Sequence, residues 1–148
     1  MLEVDKGEVK AWALLSRVYA NKRMLDRASE CCEKAIGVDS LNPGYYYLAA
    51  TILEERGMVK EAMAALKKAL YIDHDYVLAH FAMGNLTMRL KNYNEAQRHF
   101  SNALKLLLLY NAEDILPESE GIPVSRLKEI IETTIAYVKI QLDESKTR

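Results

Sequence analysis

Glycine, proline and cysteine are all scarce in this chain, and each shortage rules something out. Six glycines and three prolines are too few for an all-β protein built on many turns. The only cysteines are the neighbours Cys31 and Cys32, and a disulfide between adjacent residues is strained. They read either as two reduced thiols in or near the core or as a metal or redox pair; Cys32 takes the buried position of its helix. A formal net charge of −1 provides no global field for nucleic acid or anionic lipid, so neither nucleic acid nor a membrane is expected as a partner. The longest strongly apolar run, Leu106 to Tyr110, is far too short to span a bilayer. Residues 1–10 are charged and carry no apolar signal core, so the cytoplasm is the expected location. With 50% hydrophobic and 28% charged residues, the 148-residue chain has the profile of a globular protein and the length for one domain with a real core.

What is abundant is repetition. Ala28, Ala62 and Ala96 stand 34 residues apart, and so do Ala35, Ala69 and Ala103. Small residues recur at Ser16, Ala50 and Gly84, and bulkier ones at Cys32, Leu66 and Phe100. A 34-residue period of helical segments marks a helix-turn-helix solenoid, whose units each touch only their neighbours and leave a long surface for another protein. The pattern predicts helices over 8–21 and 25–37, 44–56 and 59–71, then 77–90 and 93–110. Polar or Gly-bearing breaks at 21–23, 56–58 and 91–93 separate the members of each pair. The recurring alanines let paired helices approach closely. The run Lys105 to Tyr110 is apolar on every side and so demands cover all round. That cover is expected from a last helix over 123–142, reached by a linker over 111–122. Its stripe is Leu127, Ile130, Ile131, Ile135, Val138 and Leu142, and Pro123 suits its first turn. No such cap precedes residue 8. The first repeat is thus expected to be open, as in a piece of a longer polypeptide or a homodimer joined through that N-terminal end.

These residues resemble the tetratricopeptide repeat family, whose pattern sets Trp, Leu, Gly and Tyr on the first helix, then Ala, an aromatic and Ala on the second. Repeat one (9–42) supplies Trp12, Leu15, Ser16, Tyr19, Ala28, Cys32 and Ala35. Repeat two (43–76) supplies Tyr46, Ala49, Ala50, Leu53, Ala62, Leu66 and Ala69. Repeat three (77–110) supplies His80, Met83, Gly84, Thr87, Ala96, Phe100 and Ala103. The closing Pro is replaced by Ser40, His74 and Leu108. The resemblance implies an all-α, right-handed α-solenoid of three helix pairs plus a capping helix, seven helices in one domain. It also implies that the first helix of each repeat lines a groove that holds a protein or peptide. Five positions per repeat would face it: Lys10, Ala13, Arg17, Ala20 and Asn21; Gly44, Tyr47, Thr51, Glu54 and Glu55; Leu78, Phe81, Asn85, Met88 and Arg89. From these the expected contact set is Arg17, Tyr47, Thr51, Leu78, Phe81, Asn85, Met88 and Arg89. Three consecutive tyrosines, Tyr45 to Tyr47, cannot share one buried face, and register leaves Tyr47 outward as an aromatic anchor. Family members that clamp a C-terminal carboxylate use Lys, Asn and Arg; here Ala13, Leu48, Leu78 and Ala82 fill such slots and Asn85 lies in the wrong repeat. An amphipathic helix or apolar peptide segment is expected instead.

Residues 80–135 also resemble the tail of chemotaxis receptor methyltransferases that carry these repeats, through Gly84-Asn85, Gln97 to Leu104, Leu116 to Gly121 and Arg126 to Ile131. That likeness implies signalling or chemotaxis partners and an upstream S-adenosylmethionine-dependent domain; a self-associating scaffold unrelated to methylation is the alternative. The chain itself shows no phosphate loop, nucleophile elbow, Cys-x-x-Cys pair or His-Glu-x-x-His helix. No catalytic residue, metal or cofactor is therefore expected, and the chain reads as a non-enzyme. His80 reads as a packing residue, His74 as part of a solvated turn and His99 as exposed. Glu118 and Glu120 read as a polar connector or as a docking element for a basic partner.

Overall fold

The computed structural model describes residues 6–147. Among them the chain is all-α: α1 (Lys6–Asn21), α2 (Leu25–Val38), α3 (Pro43–Glu55), α4 (Val59–Ile72), α5 (Val77–Arg89), α6 (Tyr93–Leu107) and α7 (Val124–Lys146). Two compact units divide it, one ending at His74 and the other beginning at Asp75.

Each helical hairpin turns in the same way. Arg23, Gly57 and Lys91, one period apart, all take positive φ of 62°, 78° and 63°. The next N–H then reaches back into the first helix: Met24 to the Tyr19 carbonyl at 2.9 Å, Met58 to Leu53 at 2.9 Å, Asn92 to Thr87 at 2.8 Å. Left-handed closure of this kind satisfies carbonyls that a helix end leaves orphaned. Only the second hairpin uses glycine there.

The first unit pairs α1 with α2 and α3 with α4, and α2 packs on α3. Ala28, Ala35, Ala62 and Ala69 are fully buried, which is the packing reason for their spacing. Ser16 occupies the small-residue position of α1 and donates its hydroxyl to the Ala28 carbonyl at 2.7 Å, so its burial leaves no unmade bond. Asn42 caps α3 by accepting the Gly44 N–H at 2.9 Å, with Pro43 in the first turn. Cys31 and Cys32 are free and buried. The Cys32 Sγ donates to the Tyr45 carbonyl at 3.4 Å.

The second unit pairs α5 with α6 and lays α7 on α6. Ala96, Ala103 and Phe100 are fully buried. A Cβ on Gly84 would stand 2.6–2.8 Å from three carbons of the Phe100 ring, so the ring rests directly on the α5 backbone. One period earlier the same two positions hold Ala50 and Leu66: the smaller residue shrinks as its counterpart grows. Leu127, Ile131 and Val138 of α7 are buried, while Ile130, Ile135 and Leu142 are half-buried, as the stripe requires. Pro123 stands at the N-cap position just before α7, extended with ψ 153° and making no side-chain capping bond, so it precedes the first turn rather than lying in it.

Two expectations are corrected here. Helix α6 stops at Leu107, and Leu108, Leu109 and Tyr110 turn back on it through N–H bonds to Lys105, Leu106 and Leu107. Leu107 is buried, but Leu108 and Leu109 are exposed, so the apolar run is covered on one side only. His99 is not exposed: it is half-buried, its ring 5.8 Å from that of buried His80. The linker is ordered by backbone bonds, Val124 N–H to the Asp114 carbonyl at 2.8 Å and Ser125 N–H to Ala112 at 2.9 Å. Leu116 and Ser119 are buried within it. Glu118 and Glu120 take positive φ beside Gly121, and Glu118 accepts the Tyr76 hydroxyl at 2.9 Å, so that carboxylate braces its own unit.

Candidate partner-binding surface

In the first unit, the residues at issue stand on α1 and α3, which touch. The three tyrosines at the start of α3 divide their roles. Tyr45 packs with Val9 and Ala35. Tyr46 is buried, its hydroxyl donating to the Ser40 carbonyl at 3.0 Å and the Lys68 ammonium lying 5.6 Å from its ring centre. Tyr47 is the least buried of the three and half-buried rather than open. Thr51, one turn on, is exposed and donates its hydroxyl to the Tyr47 carbonyl at 3.1 Å; its oxygen keeps acceptor capacity. Arg17 on α1 is half-buried. Glu55 is bound to Arg23 at 2.9 Å, and Arg56 bridges α3 to α2 through Asp26 and the Ser29 hydroxyl. The turn ends of α2 and α3 are thereby pinned by charge.

In the second unit, the expected residues lie on α5. Asn85 and Met88 are half-buried and Arg89 is exposed. Phe81 is half-buried, its ring 6.0 Å from that of Phe100 at a tilt of 56°. Leu78 is only 4% exposed, so it lies under this surface and supports it. Beside these, His80 of α5 meets His99 of α6, a contact that sequence reasoning missed. His99 Nε2 sits 3.8 Å from Glu95. Burial, and then the neighbouring His80, push the His99 pKa down against the pull of Glu95. In the first unit, burial foremost, with Glu33 and Cys31 adding to it, pushes the Cys32 thiol up to about 12. That is the opposite of what a nucleophilic or metal-binding cysteine needs. Among the described residues no group of three or more His, Cys, Asp or Glu side chains is placed to hold a metal ion, and no helix is long and apolar enough to cross a membrane.

The family model for the tetratricopeptide repeat matches residues 9–40 and 43–76. These residues are tetratricopeptide repeats. The α5–α6 hairpin lies beyond the matched stretch and keeps the repeat's turn and its buried alanines. Solved structures share the fold, some of them tetratricopeptide domains. The type III secretion chaperone SycD of Yersinia enterocolitica, in complex with a peptide of the translocator YopD, is 11% identical over 95% of this chain and 98% of its own, with a TM-score of 0.76. The Sgt2 tetratricopeptide domain from Aspergillus fumigatus is 13% identical over 95% of this chain and 83% of its own, TM-score 0.74. The first tetratricopeptide domain of Spaghetti, bound to an HSP90 peptide, is 18% identical over 92% of this chain and 99% of its own, TM-score 0.65. No curated protein matches the chain. The narrower likeness to receptor methyltransferases finds no support in these comparisons.

Proposed function

We propose that this chain is a non-catalytic protein–protein interaction module that holds a peptide or helix on the first helices of its repeats. The observation that carries the reading is the surface on α1 and α3. Arg17, Tyr47 and Thr51 place a cation, an aromatic ring and a hydroxyl oxygen on adjoining helices, all reachable by solvent. On α5, Phe81, Asn85, Met88 and Arg89 provide an aromatic ring, an amide, a thioether and a cation over buried Leu78. Aromatic and Arg side chains of this kind anchor partners, because a large ring adds contact area at little entropic cost. Two of the fold's relatives are described with a bound peptide, which supports the same use here. Of the four apolar slots, Ala13 and Ala82 are half-buried while Leu48 and Leu78 are buried; the two alanines, where a carboxylate clamp needs polar side chains, favour an amphipathic or apolar segment over a terminal carboxylate. A signalling methyltransferase upstream would be one setting for the module, and the reading does not depend on it.

Selection of a displayed peptide library on the full chain tests this. Enriched sequences should be apolar or amphipathic. Tyr47→Ala and Phe81→Ala, singly and together, should weaken the selected peptides while leaving helical content unchanged. Enrichment of acidic C-terminal sequences, or binding untouched by both substitutions, would overturn the assignment.

A further inference from the structure

The outer face of α1 is a second apolar surface, separate from Arg17, Tyr47 and Thr51. Leu14 is 61% exposed, Leu15 38% and Val18 40%, and Ala11 is exposed beside them. Positions 11, 14, 15 and 18 follow the i, i+3, i+4, i+7 spacing of a buried helical stripe. The repeat period shows what covers such a stripe. Thirty-four residues on, α3 carries Tyr45, Leu48, Ala49 and Ile52; Tyr45 is 8% exposed, Leu48 7% and Ile52 1%. Their cover is α2, through Ala28, Cys32, Ala35 and Ile36. One period further, Ala79, Met83 and Leu86 are buried as well.

We infer that the α1 face docks a partner α-helix built like α2: small or apolar residues at the spacing of Ala28, Cys32, Ala35 and Ile36, and an acidic residue two positions before the first of them. The acidic residue follows from the charge pattern. Arg56, at the end of α3, pairs with Asp26 of α2, and the residue one period before Arg56 is Lys22. Lys22 is exposed at the end of α1, where the acid of a docked helix would meet it. A second copy of this chain is a poorer occupant. An antiparallel α1 pair would bring Lys10 of each copy towards Arg17 of the other.

The probe is a helix-stapled peptide with the sequence of residues 24–39, titrated against the full chain by fluorescence anisotropy. The expected result is saturable one-to-one binding that Leu14→Glu or Val18→Asp weakens at least about tenfold, since each buries a charge in the contact. Lys22→Glu should weaken it about two- to fivefold, the range of an exposed ion pair, and Asp26→Lys in the peptide should restore that loss. Leu14 and Val18 are exposed, so circular dichroism of both variants should match the parent. Tyr47→Ala should leave this binding unchanged, which keeps the test independent of the proposed function. Absence of binding up to millimolar peptide would overturn the inference. So would binding indifferent to Leu14→Glu, the mark of a peptide displacing the chain's own α2. A concentration-dependent dimer in sedimentation, abolished by Leu14→Glu, would overturn it in favour of a second copy.

Discussion

Replacing Gly84 with alanine should destabilise the second unit, although alanine is the better helix former. The helix gains about 0.5–1 kcal/mol when a mid-helix glycine becomes alanine. Against that stands a methyl group 2.6–2.8 Å from three carbons of the Phe100 ring. The ring is fully buried and planar, so relief requires α5 and α6 to separate. Overpacking of this kind costs about 1–3 kcal/mol, which leaves a net loss of about 1 kcal/mol between the middles of the two ranges. The decisive comparison adds Phe100→Leu. The double variant carries the residues that Ala50 and Leu66 supply one period earlier, and it should regain what the single variant loses. Urea unfolding of parent, both singles and the double, followed by circular dichroism, gives the coupling free energy. Residues in contact couple by about 0.5–3 kcal/mol, with the upper half expected here. A Gly84→Ala protein as stable as its parent, or effects of the two substitutions that simply add, would refute the argument that the ring rests on the backbone.

Three further outcomes follow from the geometry. Gly57→Ala should cost about 1 kcal/mol, the penalty of an L residue in the left-handed region, because nothing stands near its missing Cβ; thermal unfolding reads this directly. In a Cys31→Ser background, Cys32 should resist iodoacetamide at pH 7.5 until the protein is unfolded, since its thiol, pushed up to about 12, yields little thiolate; fast labelling of the native chain contradicts this. The lowered His99 pKa means that the unfolded chain takes up a proton at a higher pH than the folded one does. Stability is therefore complete above about pH 6.5 and is lost as pH falls through the folded-state value. His99→Gln should flatten that loss in urea midpoints compared between pH 7.5 and 5.

The period made the hairpins legible because the packing that fixes them is local. All six alanines that mark it, from Ala28 to Ala103, are fully buried, and each lies where two helices joined by a short turn must meet. The end of α6 was not legible. Leu106 to Leu109 have good helix propensity, and no glycine or proline marks the stop at Leu107. The His80–His99 contact likewise joins two helices, and nothing in the spacing of two histidines announces it. Left-handed Glu118 and Glu120 carry no propensity signal either; Gly121 alone would have been chosen for that conformation. On the binding surface, sequence register separated Tyr47 from its two neighbours but did not show that Thr51 spends its proton on the α3 backbone. Nor did it reveal Leu78 as support, because an apolar residue on the first helix of a repeat reads alike whether it faces a ligand or the core.

The shared turn geometry at Arg23, Gly57 and Lys91 also bears on how such a gene can change. Loss or gain of one whole 34-residue cassette by unequal crossing-over would return each junction to a matching junction, with side chains in phase. An indel of any other length inside a helix would rotate everything downstream by about 100° per residue, carrying alanines out of the seams and charges in. Copy number is thus the easiest structural variable for this lineage to explore, and drift in length within a hairpin the most heavily penalised.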